Sequence, residues 1–243
     1  MSLALPHAAD PARRISLDAV SLERGSRPVF EALTLALHES RIGLIGDNGA
    51  GKSSLFRLIA GLDQPQRGTV TVHGFDTRAD RRQLPRHIGL MFQNPEDQII
   101  FPTVAEELAF SLTALGLKRP AARQQALAFL AARGLGDWAG RAISELSQGQ
   151  RQQVCLAALQ IGRPSTLLLD EPYSSLDLPS QERLSAQLRA SDQQVILSTH
   201  VLDHLRDFER VVWLDQGRVR ADGPAREVCG AYVQDVRQRA RHA

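Results

Sequence analysis

The octet Gly46-Asp47-Asn48-Gly49-Ala50-Gly51-Lys52-Ser53 has the spacing G-x-x-x-x-G-K-[ST]. It follows an apolar run, Ile42 to Ile45, and opens a helix-like pattern that ends at Gly61. Such a loop works only where a strand delivers it and a helix leaves it. Its backbone N–H groups then converge with the helix N-terminus on phosphate oxygens. Gly46, Gly49 and Gly51 allow the close backbone approach, and Asn48 and Ser54 belong to the same phosphate-binding stretch. Lys52 is placed to neutralise β/γ-phosphate charge, and the Ser53 hydroxyl to ligate Mg2+. A Gly-rich turn could share the composition, but not the strand before it and the helix after it.

The remaining pattern is α/β. Strand-like runs occur at Ile15 to Leu22, Leu33 to Leu37, Ile42 to Ile45, Thr69 to His73, Ile88 to Phe92, Thr166 to Leu169, Val195 to Ser198 and Val211 to Leu214. The all-apolar runs are expected to be central and parallel. Residues 103–161 carry helical patterns without a strand, opening on a box at Thr103 and Glu106 with Val104, Leu108, Leu112 and Leu115 on one face. This segment reads as an inserted helical subdomain. A hairpin, Arg210 to Leu214 and Arg218 to Ala221, and a helix from about Pro224 close the chain. The expected organisation is a flexible tail over 1–14, one domain over 15–236 and a basic tail over 237–243.

At 243 residues one large domain builds its core without staples, and two cysteines, Cys155 and Cys229, agree with a reducing compartment. No run approaches the 18 apolar residues of a membrane span, and Pro6, His7, Asp10 and Pro11 interrupt any leader-like core. With 29 basic against 27 acidic residues the formal charge is +2, which excludes a basic footprint for nucleic acid.

Leu167-Leu168-Leu169 delivers Asp170 and Glu171 at a strand end, where an open parallel sheet holds its ligands. Asp170 is expected to hold the Mg2+ water shell, and Glu171 to orient or deprotonate the attacking water. Taken alone, such a pair is more often a cap or a surface acid; its company with the phosphate loop reverses that preference.

Leu146-Ser147-Gln148-Gly149-Gln150 opens a further apolar helix just upstream of that strand. Here the chain resembles the ATP-binding-cassette (ABC) ATPases over roughly residues 15–225. Gln93 looks like the Q-loop glutamine, Ser174-Ser175-Leu176-Asp177 like the D-loop, and His200 like the switch histidine, all in family order. Singly each has a plainer reading: a loop amide, a helix cap at Ser147 or Asp177, a satisfied histidine. The resemblance implies a P-loop NTPase fold of ABC type, with a mixed central sheet, an antiparallel β edge and an inserted helical subdomain. It implies ATP and Mg2+, with Gln93 joining Ser53 and Asp170 around the metal. It also implies that two cassettes pair head to tail, the Leu146–Gln150 loop acting in trans, as a homodimer or with a second ABC ATPase. Two departures stand out. Gln148 replaces the first glycine of the signature, and no aromatic follows the first strand, leaving Arg24 as the expected stacking partner for adenine. No Asn-Lys-x-Asp guanine motif competes for the base.

The stretch from Phe92 to Glu107, with Gln98-Ile99-Ile100-Phe101-Pro102 at its centre, is similar to energy-coupling-factor importers, most of all those for biotin, with cobalt or nickel next. The implied partners are a transmembrane scaffold subunit and a small substrate-binding membrane subunit. The implied place is the cytoplasmic face of the inner membrane, held peripherally through those partners. Ile99, Ile100 and Phe101 are then an apolar anchor rimmed by Glu96, Asp97 and Glu106, or else core. The rival of similar size is a soluble iron-sulfur-cluster assembly ATPase. A small-molecule kinase leaves Leu146–Gln150 and His200 unexplained.

Overall fold

Apolar alternation along the first strand is broken once, and the structure shows why. The computed structural model describes residues 14–242. Strand β1 (Ile15–Arg24) buries Ile15 and Leu17, then Val20 and Leu22. The extra residue is absorbed by a bulge in which Ala19 adopts φ 47°, so both apolar pairs face the same core. β2 (Arg27–Leu37) runs antiparallel to β1. β3 (Arg41–Ile45) is buried almost throughout and runs into the phosphate loop and α1 (Lys52–Ile59). α1 stops where the N–H groups of Gly61 and Leu62 return to the carbonyls of Leu58 and Arg57, a glycine-terminated helix end. β4 (Arg67–Val72) and the short β5 (Phe75–Asp76) complete an antiparallel sheet in the order β2-β1-β4-β5.

The chain divides into two compact units, the first made of residues up to Leu84 together with Gln193 onward, the second of Pro85–Asp192. In the second unit β6 (Ile88–Met91) is followed by α2 (Val104–Ala114), α3 (Arg119–Ala132) and α4 (Gln148–Ile161). These helices share one apolar cluster that includes Val104, Leu108, Leu112, Ala126, Leu130, Leu146 and Val154. β7 (Thr166–Asp170), wholly buried, pairs in parallel with β6, and α5 (Leu178–Ala190) follows. The compact unit is thus wider than the helical segment 103–161, since it includes the strand on each side. The expected box at the start of α2 forms differently. The Thr103 hydroxyl donates to the Glu106 carboxylate at 2.6 Å, and no side chain caps the backbone.

Back in the first unit, β8 (Gln194–Ser198) and β9 (Arg210–Asp215) flank β3 in parallel, and β10 (Arg218–Gly223) adds an antiparallel edge to β9. Parallel apolar strands with an antiparallel edge are what the sequence pattern predicts. α6 (Ala225–His242) closes the chain and continues through 237–242, so the stretch expected as a basic tail is helical. Of the expected N-terminal tail, residues 1–13 lie outside the described residues. Among the described residues no helix is long and apolar enough to cross a membrane.

Candidate nucleotide site

The phosphate loop leaves β3 and enters α1 as its spacing requires. Gly46 adopts φ 145°, and a β-carbon there would stand 2.1 Å from the Leu214 carbonyl oxygen, so no other residue fits. Gly51, at φ 106°, caps α1 with its backbone pressed against the Phe30 ring. Lys52 is buried at 7% exposure, its Nζ donating to the carbonyls of Gly46 at 2.6 Å and Asp47 at 3.1 Å, which lays the ammonium along the loop. Asn48, Gly49 and Ser53 are exposed and Ser54 is half-buried beside them. Arg24, half-exposed, directs Nε toward the Ser54 hydroxyl at 3.5 Å and pairs with Asp63. It therefore stands at the flank of α1, with its guanidinium already engaged. In the same unit His200 is exposed at the carboxyl end of β8, after the buried Thr199. The Thr199 hydroxyl accepts from the Val201 N–H at 3.1 Å and turns the chain at that point.

The second unit carries the acids. Asp170 ends β7 and Glu171 follows it, both below a tenth exposed. Glu171 holds φ 50°, a left-handed backbone that costs a non-glycine residue of order 1–3 kcal/mol and persists only under constraint. Two bonds hold this turn: from α4 the Gln152 amide, itself buried, donates to the Pro172 carbonyl, and within the loop the Ser174 N–H donates to the Glu171 carbonyl at 3.2 Å. α4 opens on Ser147, whose hydroxyl accepts from the Gln150 N–H at 3.2 Å while the Gln150 side chain accepts from the Ser147 N–H at 2.9 Å. Both motif residues are thereby fixed at the helix N-terminus, the end suited to an anion. Gln148 is exposed as the first helical residue, and Leu146 is buried in the helical core. A β-carbon on Gly149 would lie 3.1 Å from the Ser175 carbonyl oxygen, so the signature loop lies directly on the D-loop. In the D-loop Ser175 and Leu176 are half-buried, and the Asp177 carboxylate caps α5, accepting from the Ser180 N–H at 3.0 Å. Gln93 is exposed just past β6.

The stretch after Gln93 resolves the choice between anchor and core residue by residue. Ile100 is 70% exposed, whereas Ile99 and Phe101 are half-buried. The buried Glu107 carboxylate accepts from the N–H groups of Ile100 at 2.9 Å and Phe101 at 2.8 Å, which fixes the segment and turns Ile100 outward. Phe101 packs on Phe110 with centroids 4.9 Å apart, and Glu96 pairs with Arg151 at 2.6 Å. Sequence reasoning missed Gln152 and Glu107, whose single residues carry no motif of their own.

Residues 31–174 match the ABC transporter family. The chain belongs to the ABC transporter family. This cassette is an ATPase of the energy-coupling-factor type. It is 48% identical to the biotin transport ATP-binding protein BioM of Rhodobacter capsulatus, over 93% of this chain and 97% of that one. With the nickel import ATP-binding protein NikO of the same organism the identity is 39%, over 83% of this chain and 85% of the relative. Among solved structures, cbiO1 of Clostridium perfringens, part of the ABC transporter complex cbiONQ, superposes with a TM-score of 0.75 at 22% identity, over 89% of this chain and 90% of that one. A dimeric ATP-binding cassette bound to ADP and phosphate after hydrolysis gives the same TM-score at 24% identity, over 87% of this chain and 98% of that one. These structural likenesses concern the fold.

Proposed function

We propose that this cassette is the ATP-hydrolysing motor of an energy-coupling-factor importer for biotin. The observation that carries the reading is the 48% identity to a biotin transport ATP-binding protein, sustained over nearly the whole of both chains. The 39% identity to a nickel import ATP-binding protein supports a metal ion, nickel or cobalt, as the second cargo. The motor works at the cytoplasmic face of the inner membrane, held there by a transmembrane scaffold and a small substrate-binding membrane protein. Ile100, 70% exposed, suits an apolar face on a helix of that scaffold.

The residues take the following roles. Gly46, Asn48, Gly49, Gly51, Lys52, Ser53 and Ser54 hold the ATP phosphates, and Arg24, at the flank of α1, is the stacking partner for adenine. The hydroxyl of Ser53 in the first unit, and the carboxylate of Asp170 and the amide of Gln93 in the second, are each oxygen donors of the kind Mg2+ takes; these residues would hold the ion, which would neutralise phosphate charge. Glu171, buried and conformationally constrained, orients water and accepts its proton, and His200 senses the γ-phosphate. Leu146 to Gln150 act in trans on the nucleotide of a partner cassette, with Ser175, Leu176 and Asp177 beneath them. Affinity isolation from detergent-solubilised native membranes, followed by mass spectrometry, tests the reading. A multispan scaffold with a small biotin-binding membrane protein is the expected company. A nickel-binding or cobalt-binding small partner moves the cargo to the metal, and exclusively soluble partners overturn the importer.

A further inference from the structure

Asp47, the second residue of the phosphate loop, is held by the far end of the chain. Its carboxylate accepts from the Tyr232 hydroxyl at 2.9 Å and from Arg239, Nη1 at 2.6 Å and Nη2 at 3.4 Å. Both donors lie on α6, and Arg239 is steered by Asp235, which takes its Nε at 2.7 Å and also accepts from Arg220. Arg220 in turn stands over the Trp213 ring at 4.3 Å, and that ring meets Tyr232 edge-on at 5.2 Å. The contacts close into a ring, so Tyr232 and Arg239 reach the loop already oriented. The Asp47 carboxyl is held below the usual carboxylate range, first by Arg239 and then by Tyr232. It is therefore an anion at neutral pH inside a loop whose work is to receive a multiply charged anion.

We propose that Arg239 and Tyr232 are positioning residues for the nucleotide, which neutralise Asp47 and fix the phosphate loop from α6. The proposal rests on the reading of Gly46–Ser53 as the phosphate site. Without Arg239 the Asp47 charge faces the phosphates uncompensated, and the loop loses its tether to α6. Neither residue touches a reacting atom, so the effect belongs in affinity rather than in the chemical step.

The test measures ATP binding and steady-state hydrolysis for Arg239→Ala, Asp47→Asn and the double variant, with Lys52→Ala as the control on the phosphate reading. Arg239→Ala raises the Kd and KM for ATP about threefold to tenfold, and kcat stays within about twofold. The affinity loss shrinks as salt rises from about 0.05 M to about 0.5 M, because an exposed charge is screened. In the Asp47→Asn background the same arginine substitution changes affinity by less than about twofold, since the charge it neutralised is gone. Tyr232→Phe keeps the ring against Trp213 and removes only the hydroxyl, giving a smaller loss in the same direction. Unchanged KM in Arg239→Ala overturns the proposal, as does an equal loss with and without the Asp47 carboxylate. Failure of Lys52→Ala to weaken ATP binding overturns the phosphate reading instead.

Discussion

Residues that announce their chemistry in this chain do so in contiguous strings. Gly46 to Ser53, Asp170-Glu171 and Leu146 to Gln150 are legible because the backbone segment is itself the device, and the structure puts each at the strand end or helix start its spacing requires. Residues that act at a distance have no such string. Gln152 holds Pro172 across 20 positions, and Tyr232 and Arg239 hold Asp47 across 185 and 192. Only the fold brings these partners together. Glu171 adds something no motif encodes, a left-handed φ of 50° at a buried acid. Glutamine there keeps the shape and removes the proton acceptor that the proposed role requires. Turnover of Glu171→Gln is expected to fall about a hundredfold to ten-thousandfold with ATP binding retained, as steady-state kinetics beside equilibrium binding will show. Undiminished turnover would remove Glu171 from the reaction.

At the scale of elements, apolar periodicity located the parallel strands to within a residue, because buried parallel strands have no polar face to confuse the pattern. In the antiparallel sheet it found of β2 only Leu33–Leu37, since the opening Arg27 and Pro28 are exposed, and it missed the two-residue β5. It did not single out α5. That helix buries only Leu184 and Leu188, so its amphipathic signal is weak, although Asp177 and Pro179 mark its start. At α2 the expected cap gave way to a bond between the two side chains, and the charged residue that matters structurally is Glu107, one position further on. Its carboxylate serves two backbone N–H groups at once. Glu107→Ala strands both donors, at about 2 kcal/mol in all, and lowers the calorimetric midpoint by about 4–8 °C. Glu107→Gln keeps one carbonyl oxygen and loses less. An unaltered midpoint in the alanine variant would mean that the Ile100 segment holds its shape without this anchor.

For the whole molecule, fold class was legible early, since strands alternating with helices around a phosphate loop leave few alternatives. The division into two units was less so: the sequence marks where the helices begin and end, but not that β6 and β7 go with them. Within one chain the signature loop and the phosphate loop belong to different units, and the signature loop is packed on its own D-loop. A site that borrows a signature from a second copy makes association depend on ATP. By light scattering, Glu171→Gln with ATP is expected at twice the monomer mass, and at the monomer mass without nucleotide. A monomer under both conditions contradicts the shared site.

The contact between α6 and the phosphate loop also bears on how the protein is handled. Ala243 is four residues past Arg239, whose guanidinium grips Asp47. An affinity handle fused behind α6 pulls on the helix that carries this grip. A purification tag placed behind α6 is thus a perturbation of the first step of the cycle.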